Sequence, residues 1–365
     1  MVSRIIKHRT PLYHTFDALG RGALTLGFIG GSITDGRPRH NWPEYVTAWF
    51  VDHFPDVQIY VENAAIGATG SDLAVFRVQR DLLDRGCDLV FVEYAVNDIS
   101  VCTQRRAESR EGLLRQLLSP QSCDVVSVYT FVHDMADDML QNRVPPSICE
   151  FEALCDHYGI SSVWMAREAL DQVLKGYMRW EEWLPDGLHP HERGSYCYAG
   201  TVIQYLEQAL EHRPDGMPPS AHPGLPGPLT DSCWEKTEFV PFEHINKQGP
   251  WVIRRSITST WVDRYLYTSS PSASLRFAFT GRRLLVCFDF GKLSSDICWR
   301  VDNGEWQVST DTRTDWMGDS GQLWLRELLN DPKGSSHTVE LRPVHPGRGR
   351  GNGVRCDIAF FGVVK

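Results

Sequence analysis

The stretch ALTLGFIGGSITDG, residues 23–36, decides the fold. Its first half is a short apolar run with no polar alternation, so the strand it predicts is buried on both faces, as in a parallel sheet. Its second half breaks the run with Gly30-Gly31, a tight turn that lets the backbone approach closely, and delivers Ser32 at the strand's carboxyl end. Open α/β sheets place their sites at that edge.

Working outward, four further runs share this character: VQIYVE (57–62), DLVFVEY (88–94), DVVSVYTFV (124–132) and ISSVWM (160–165). Helical patterns lie between them. One begins at Asn41, placed to cap, with Pro43 in the first turn and Glu44 placed to close a capping box. Another spans 71–84, with Ser71 as its cap, and a third covers 111–118. The last, about 192–210, sets Tyr198, Val202, Leu206 and Leu210 on one stripe. Five strands alternating with helices predict a doubly wound, flavodoxin-like, five-stranded parallel sheet.

The pattern stops at RPDGMPPSAHPGLPGPLT (213–230), where six prolines fall between Pro214 and Pro228. Such a stretch propagates neither helix nor central strand and reads as a semi-rigid linker. Beyond it the period changes to two, in SLRFAFTG, RLLVCFDFG, DICWRVDNG and VRCDIAFFGVV, and VDNGEW (301–306) carries an Asn-Gly hairpin signal. A β-sandwich or jelly roll follows. The expected division is 1–212, a linker at 213–230, and 231–365.

Composition agrees. At about 150 residues per domain, 365 residues suggest two domains. Lys plus Arg is 37 against 46 Asp plus Glu, a net charge of −9, which argues against a nucleic-acid partner. No run approaches the ~20 apolar residues that span a bilayer, so no membrane partner is expected. The charged N-terminus is broken by Pro11 and lacks the apolar segment of a secretory signal. Ten cysteines show no CxxC pair and no zinc-finger spacing, so they are expected to be reduced, in a cytoplasmic protein. A homo-oligomer is compatible with the sequence.

Four polar blocks punctuate the first region. Ser32 follows the first strand. Gly67, in NAAIGATGSDL (63–73), follows the second, where its N–H can point into a cleft. Asn97, in VEYAVNDIS (92–100), follows the third, where a side-chain amide can donate to an anion. Asp186 and His189, in LPDGLHPHERG (184–194), precede the last helix at a spacing that suits a carboxylate holding an imidazole in one tautomer. Each block alone is equally a turn, a cap or a surface loop.

Taken together and in this order, the blocks resemble those of the SGNH (GDSL-type) hydrolase superfamily over about residues 20–210. One departure is Gly31, where the GDSL signature has Asp before the nucleophile. The resemblance implies Ser32 as nucleophile, His189 as base and Asp186 as its orienting carboxylate. It implies an oxyanion hole made by the N–H groups of Ser32 and Gly67 with the Asn97 side chain, and no metal or organic cofactor. His191 is the rival base; its spacing from Asp186 favours His189.

Asp35, Arg37 and His40 are further candidates to line the substrate cleft, against a solvated loop. Trp180 and Trp183 are candidates for an acyl-pocket wall, against packing on the last helix. RGRGNG (348–353) reads as a hairpin turn rather than an anion site. The β-rich region looks like the jelly-roll domain attached to some SGNH carbohydrate acetyl esterases, although there it precedes the catalytic domain and here it follows. Seven of twelve tryptophans lie after the linker and read mainly as core. The expected substrate is an acetylated oligosaccharide or another small ester. The alternatives are a lipase, arylesterase or lysophospholipase, an acyltransferase, or a sugar-binding protein with a dead hydrolase domain.

Overall fold

The computed structural model describes residues 5–35, 41–119, 122–214, 224–309, 311–345 and 353–365. Arg37, His40 and nearly all of 348–353 lie outside the described residues, as does 215–223 of the expected linker. The chain divides into two compact units, Met1–Glu235 and Lys236–Lys365.

In the first unit the strands are β1 (Ile6–Lys7), β2 (Ala23–Gly30), β3 (Gln58–Asn63), β4 (Leu89–Glu93), β5 (Asp124–Val128) and β6 (Ser161–Val163). The helices are α1 (Tyr13–Arg21), α2 (Trp42–His53), α3 (Ser71–Val78), α4 (Thr103–Leu118), α5 (Ala136–Leu140), α6 (Pro146–Tyr158), α7 (Met165–Leu174), α8 (Trp180–Trp183) and α9 (Glu192–Glu211). The sheet order is β1-β6-β5-β4-β2-β3, parallel from β6 to β3. The five parallel strands are the expected ones in flavodoxin-like order. The sixth, β1, is an addition: two residues pair antiparallel with β6, Ile6 opposite Val163, and close that edge.

Burial explains why these runs are strands. Every residue of β4 and β5 is buried, which only a central parallel strand covered on both faces allows. One face carries α1, α2, α7 and α9, the other α3, α4 and α6. Helix α9 turns Tyr198, Val202 and Leu206 inward as its stripe requires, each side chain contributing about 1.5–3 kcal/mol. The strand order reverses between β2 and β4, the switch point at which doubly wound sheets open a crevice.

Two expected caps are not made. Asn41 stands at the N-cap of α2, but its amide Nδ2 donates to the Thr34 carbonyl at 3.1 Å rather than capping the helix. Ser71 is the first residue of α3 rather than its cap, and its N–H is taken by Asp98 at 2.8 Å. In both cases a tertiary partner outcompetes the local turn. The linker expectation also changes. Its described part, 224–230, is docked on the first unit: Glu111 accepts from the Thr230 N–H at 2.8 Å, and Arg115 donates to the Pro226 carbonyl at 2.6 Å. Trp234 is fully buried and donates to Glu108 at 3.0 Å, so the division falls after Glu235 rather than at 213–230.

The second unit is two antiparallel sheets. One runs β15 (Gln322–Asn330), β12 (Arg283–Phe290), β17 (Cys356–Val364), β10 (Arg264–Thr268) and β9 (Val252–Arg255), with β7 (Thr237–Phe239) also on β17. The other runs β14 (Gln307–Val308), β13 (Asp296–Val301), β16 (Ser336–Val344), β11 (Ser274–Thr280) and β8 (Asn246–Gln248). Alternation in β11 sends Leu275, Phe277 and Phe279 into a core with Trp299, Leu341 and Phe361. The β13–β14 hairpin turns on Asp302-Asn303, both at positive φ, one residue earlier than an Asn-Gly centre. Among the described residues no helix is long and apolar enough to cross a membrane, and all ten cysteines are free.

Candidate active site

Ser32 leaves β2 in a turn closed by bonds from the N–H groups of Thr34 and Asp35 to the Gly31 carbonyl, at 3.1 and 2.9 Å. Thr34 anchors that turn. Its carbonyl accepts from Asn41 and from Asn63 at 3.0 Å, while its hydroxyl takes the Trp42 Nε1–H at 3.2 Å and donates to Glu93 at 3.1 Å. The turn is therefore held from α2, β3 and β4 together.

The loop before α9 brings the other two groups. Ser32 Oγ lies 2.8 Å from His189 Nε2, and His189 Nδ1 lies 2.7 Å from Asp186 Oδ2. The second Asp186 oxygen accepts the N–H groups of Leu188 and His189 at 2.9 and 2.7 Å. Partial burial raises the Asp186 pKa, but the bonds from the His189 side chain and from these two N–H groups outweigh it and leave the carboxyl below its ordinary value. It is thus ionised at neutral pH. It is His189, not His191, that reaches the serine. The His189 and Asp186 side chains remain 38% and 54% exposed, so both groups are open to solvent.

Gly67 and Asn97 converge on the same turn. A Cβ placed on Gly67 would lie 3.5 Å from Ser32 Cβ, which puts the two backbones in contact. The Gly67 N–H donates to Asp35 Oδ2 at 3.2 Å, so a carboxylate stands at the donor expected to serve an oxyanion. Next to it Ala68 adopts φ +56°, a conformation that costs a non-glycine residue about 1–3 kcal/mol and that clusters at functional sites. Asn97 opens a 3₁₀ turn (Asn97–Ser100), and its amide lies directly over Gly31. A Cβ at position 31 would come within 2.0 Å of Asn97 Oδ1. Gly31, the departure from the GDSL signature, is what admits that amide.

Beneath both loops runs a buried ion pair that the sequence did not announce. Asp98 accepts the Ser71 N–H on one oxygen and Arg110 Nε on the other, at 2.7 Å, with both side chains fully buried. Arg110 also bonds Glu150 and both oxygens of Ser147. The available signal was slight: Asp98 follows the mostly apolar run at 88–96, and Arg110 ends the polar stretch TQRRAESR (103–110) just before the helix read at 111–118.

The secondary candidates separate. Asp35 is at the site. Trp180 is half-buried, edge-on to Phe131 and Trp183. Trp183 cannot line a cleft: it is fully buried and donates to the Tyr198 hydroxyl at 3.1 Å, fixing α8 to α9. Among the described residues no group of three or more His, Cys, Asp or Glu is placed to hold a metal ion.

Comparison with known proteins agrees with this layout. Residues 28–196 match the GDSL-like lipase/acylhydrolase family. No curated protein sequence matches the chain. Among solved structures it is similar to a two-domain esterase (CEX) active on acetylated mannans, at 24% identity and a TM-score of 0.81, over 98% of this chain and 96% of that one. A two-domain esterase (CEX) active on acetylated mannans co-crystallised with mannopentaose gives the same identity and coverage with a TM-score of 0.80. At that identity the likeness is one of fold.

Proposed function

We propose that this chain, whose residues 28–196 match the GDSL-like lipase/acylhydrolase family, is a carboxylic ester hydrolase, a serine esterase that removes O-acetyl groups from an oligosaccharide. The observation that carries the mechanism is the continuous relay Ser32–His189–Asp186, two hydrogen bonds of 2.8 and 2.7 Å. A hydroxyl is a poor nucleophile at neutral pH and needs an adjacent base. His189 Nε2 takes the Ser32 proton as Oγ attacks the acetyl carbon, and ionised Asp186 steadies the imidazolium through Nδ1–H. The carbonyl oxygen, now negative, is met by the Ser32 and Gly67 N–H groups and the Asn97 amide. His189 returns the proton to the departing sugar oxygen. Water then repeats the sequence on the acetyl-enzyme and releases acetate.

The open relay supports a bulky, polar leaving group, because both His189 and Asp186 remain accessible. The shared two-domain fold with an esterase active on acetylated mannans supports a carbohydrate acetate. Ten free thiols, six of them buried, suit a reducing compartment. The test compares p-nitrophenyl acetate, butyrate and octanoate with acetylated manno- and xylo-oligosaccharides, for wild type and Ser32→Ala. Acetate release from the sugars, abolished in Ser32→Ala, is expected. Activity retained in Ser32→Ala overturns the mechanism, and a preference for octanoate with inert sugars makes the enzyme a lipase-type esterase instead.

A further inference from the structure

Glu93 ends β4, opposite Gly30 in the sheet register, and is fully buried. Its carboxyl lies under the turn that carries Ser32 and is bonded on both sides of it. Oε2 accepts the Thr34 hydroxyl at 3.1 Å and the Gly31 N–H at 3.4 Å, and Oε1 accepts the Thr130 hydroxyl at 2.7 Å. A Cβ on Gly30 would lie 3.0 Å from Oε2 and 2.8 Å from the Glu93 carbonyl, so the glycine gives this carboxyl its place. An ion in a fully buried strand end is costly, and packing alone would favour an apolar residue there.

We propose that Glu93 is the positioning residue for the nucleophile, its carboxylate holding the Ser32 turn in reach of His189 and the oxyanion donors. This rests on the reading of Ser32 as nucleophile. Glu93 touches neither Ser32 Oγ nor the relay; it acts through Gly31 and Thr34. Three groups donate to it, and Thr34 already accepts from Trp42. A proton on Oε1 need displace no donor, since the Thr130 hydroxyl can turn to accept it; what it removes is the charge that strengthens the bonds from Thr34 and Gly31.

The charged and titratable surroundings are defined. Asp98, paired with Arg110, faces it from the 3₁₀ turn after β4, Tyr198 faces it from α9, and Tyr94 follows it in the chain with Arg77 on its hydroxyl. Burial drives the Glu93 pKa up, the bonds from Thr130, Thr34 and Gly31 pull it back, Asp98 pushes it up again, and it settles at about 7. The carboxyl thus changes charge near neutral pH.

The experiment measures kcat and KM on p-nitrophenyl acetate from about pH 5 to about pH 9 for wild type, Glu93→Gln and Thr130→Val. Wild type is expected to lose kcat below about pH 7 more steeply than a single proton allows. Glu93→Gln should lower kcat about 10- to 100-fold at the alkaline plateau with little change in KM, and reduce the acid limb to one proton. Thr130→Val keeps the carboxylate with one donor fewer, so its acid limb should move to higher pH; it decides the matter if Glu93→Gln does not fold. A wild-type profile in Glu93→Gln, or an unmoved limb in Thr130→Val, overturns the proposal. Ser32→Ala run in parallel keeps the two readings apart, since its activity bears only on the nucleophile.

Discussion

Gly31→Ala tests the geometry of the oxyanion hole without touching any group that would carry the reaction. The new Cβ would lie 2.0, 2.5 and 2.7 Å from Oδ1, Cγ and Nδ2 of Asn97. Ordinary contact begins at 3.4 Å, so the amide must withdraw by about 1.4 Å. A hydrogen bond of about 2.9 Å stretched by that amount passes beyond the range in which it counts as one. The substitution should thus equal the loss of one oxyanion donor, ~10²–10³ in kcat or about 3–4 kcal/mol. The assay is kcat on p-nitrophenyl acetate for Gly31→Ala, Asn97→Ala and the double variant, with thermal melting to verify folding. Because both single changes remove the same donor, the double variant should be no worse than either. The reasoning fails if Gly31→Ala stays within about threefold of wild type, or if the double loss is the product of the two singles.

Three further outcomes follow from the same geometry. Asp35→Ala removes the carboxylate to which the Gly67 N–H donates, a negative charge beside the proposed oxyanion site, so kcat on p-nitrophenyl acetate should hold or rise, and a loss of about tenfold or more would refute that reading. Arg110→Ala leaves Asp98 buried without its cation and should cost ~3–5 kcal/mol in thermal or urea unfolding, with Arg110→Lys restoring little because one ammonium cannot replace a fork that bonds Asp98, Glu150 and Ser147; a loss under about 1 kcal/mol would contradict this. Glu93 has a native pKa raised from 4.5 to about 7, so its stabilising contribution is complete below about pH 4.5 and is lost as pH rises through about 7. Relative to wild type, Glu93→Gln should therefore gain about 3 kcal/mol of stability between about pH 4.5 and pH 8, and a pH-independent difference in melting temperature would refute the buried titration.

Much of this was legible in the sequence because burial on both faces leaves a strong mark. The runs at 23–29, 88–94 and 124–132 are mostly apolar on both faces, and Ser32 and Asn97 stand just past the first two. Ser32 is placed by its strand end, Asp186 and His189 by their three-residue spacing, and all three roles by the resemblance of the ordered blocks to a family; the structure brings the three into one hydrogen-bonded line. What stayed hidden was polar material whose partners are distant in the chain. Asn41 and Ser71 look like caps to any local rule, yet Thr34 and Asp98 claim them. Trp183 looks like a pocket wall because it precedes Asp186, yet the Tyr198 hydroxyl holds it inside. Glu93 vanished into LVFVEY, where one acid among apolar neighbours reads as a strand end. The proline-rich segment misled in the opposite sense: backbone that cannot form regular structure can still dock, as 224–230 does on Glu111 and Arg115.

The Asp98–Arg110 pair has a mechanical consequence. One carboxylate braces the start of α3, just past Gly67, and the turn that begins at Asn97, while the guanidinium ties both to α6 through Ser147 and Glu150. Two of the three proposed oxyanion donors therefore share a single strut, whereas Ser32 hangs from a separate one built on Thr34 and Glu93. Loosening of α4 or α6 would reach both donors at once and leave the serine-histidine bond in place. On warming, such an enzyme would lose its grip on the transition state while its nucleophile was still armed, and inactivation would run ahead of unfolding.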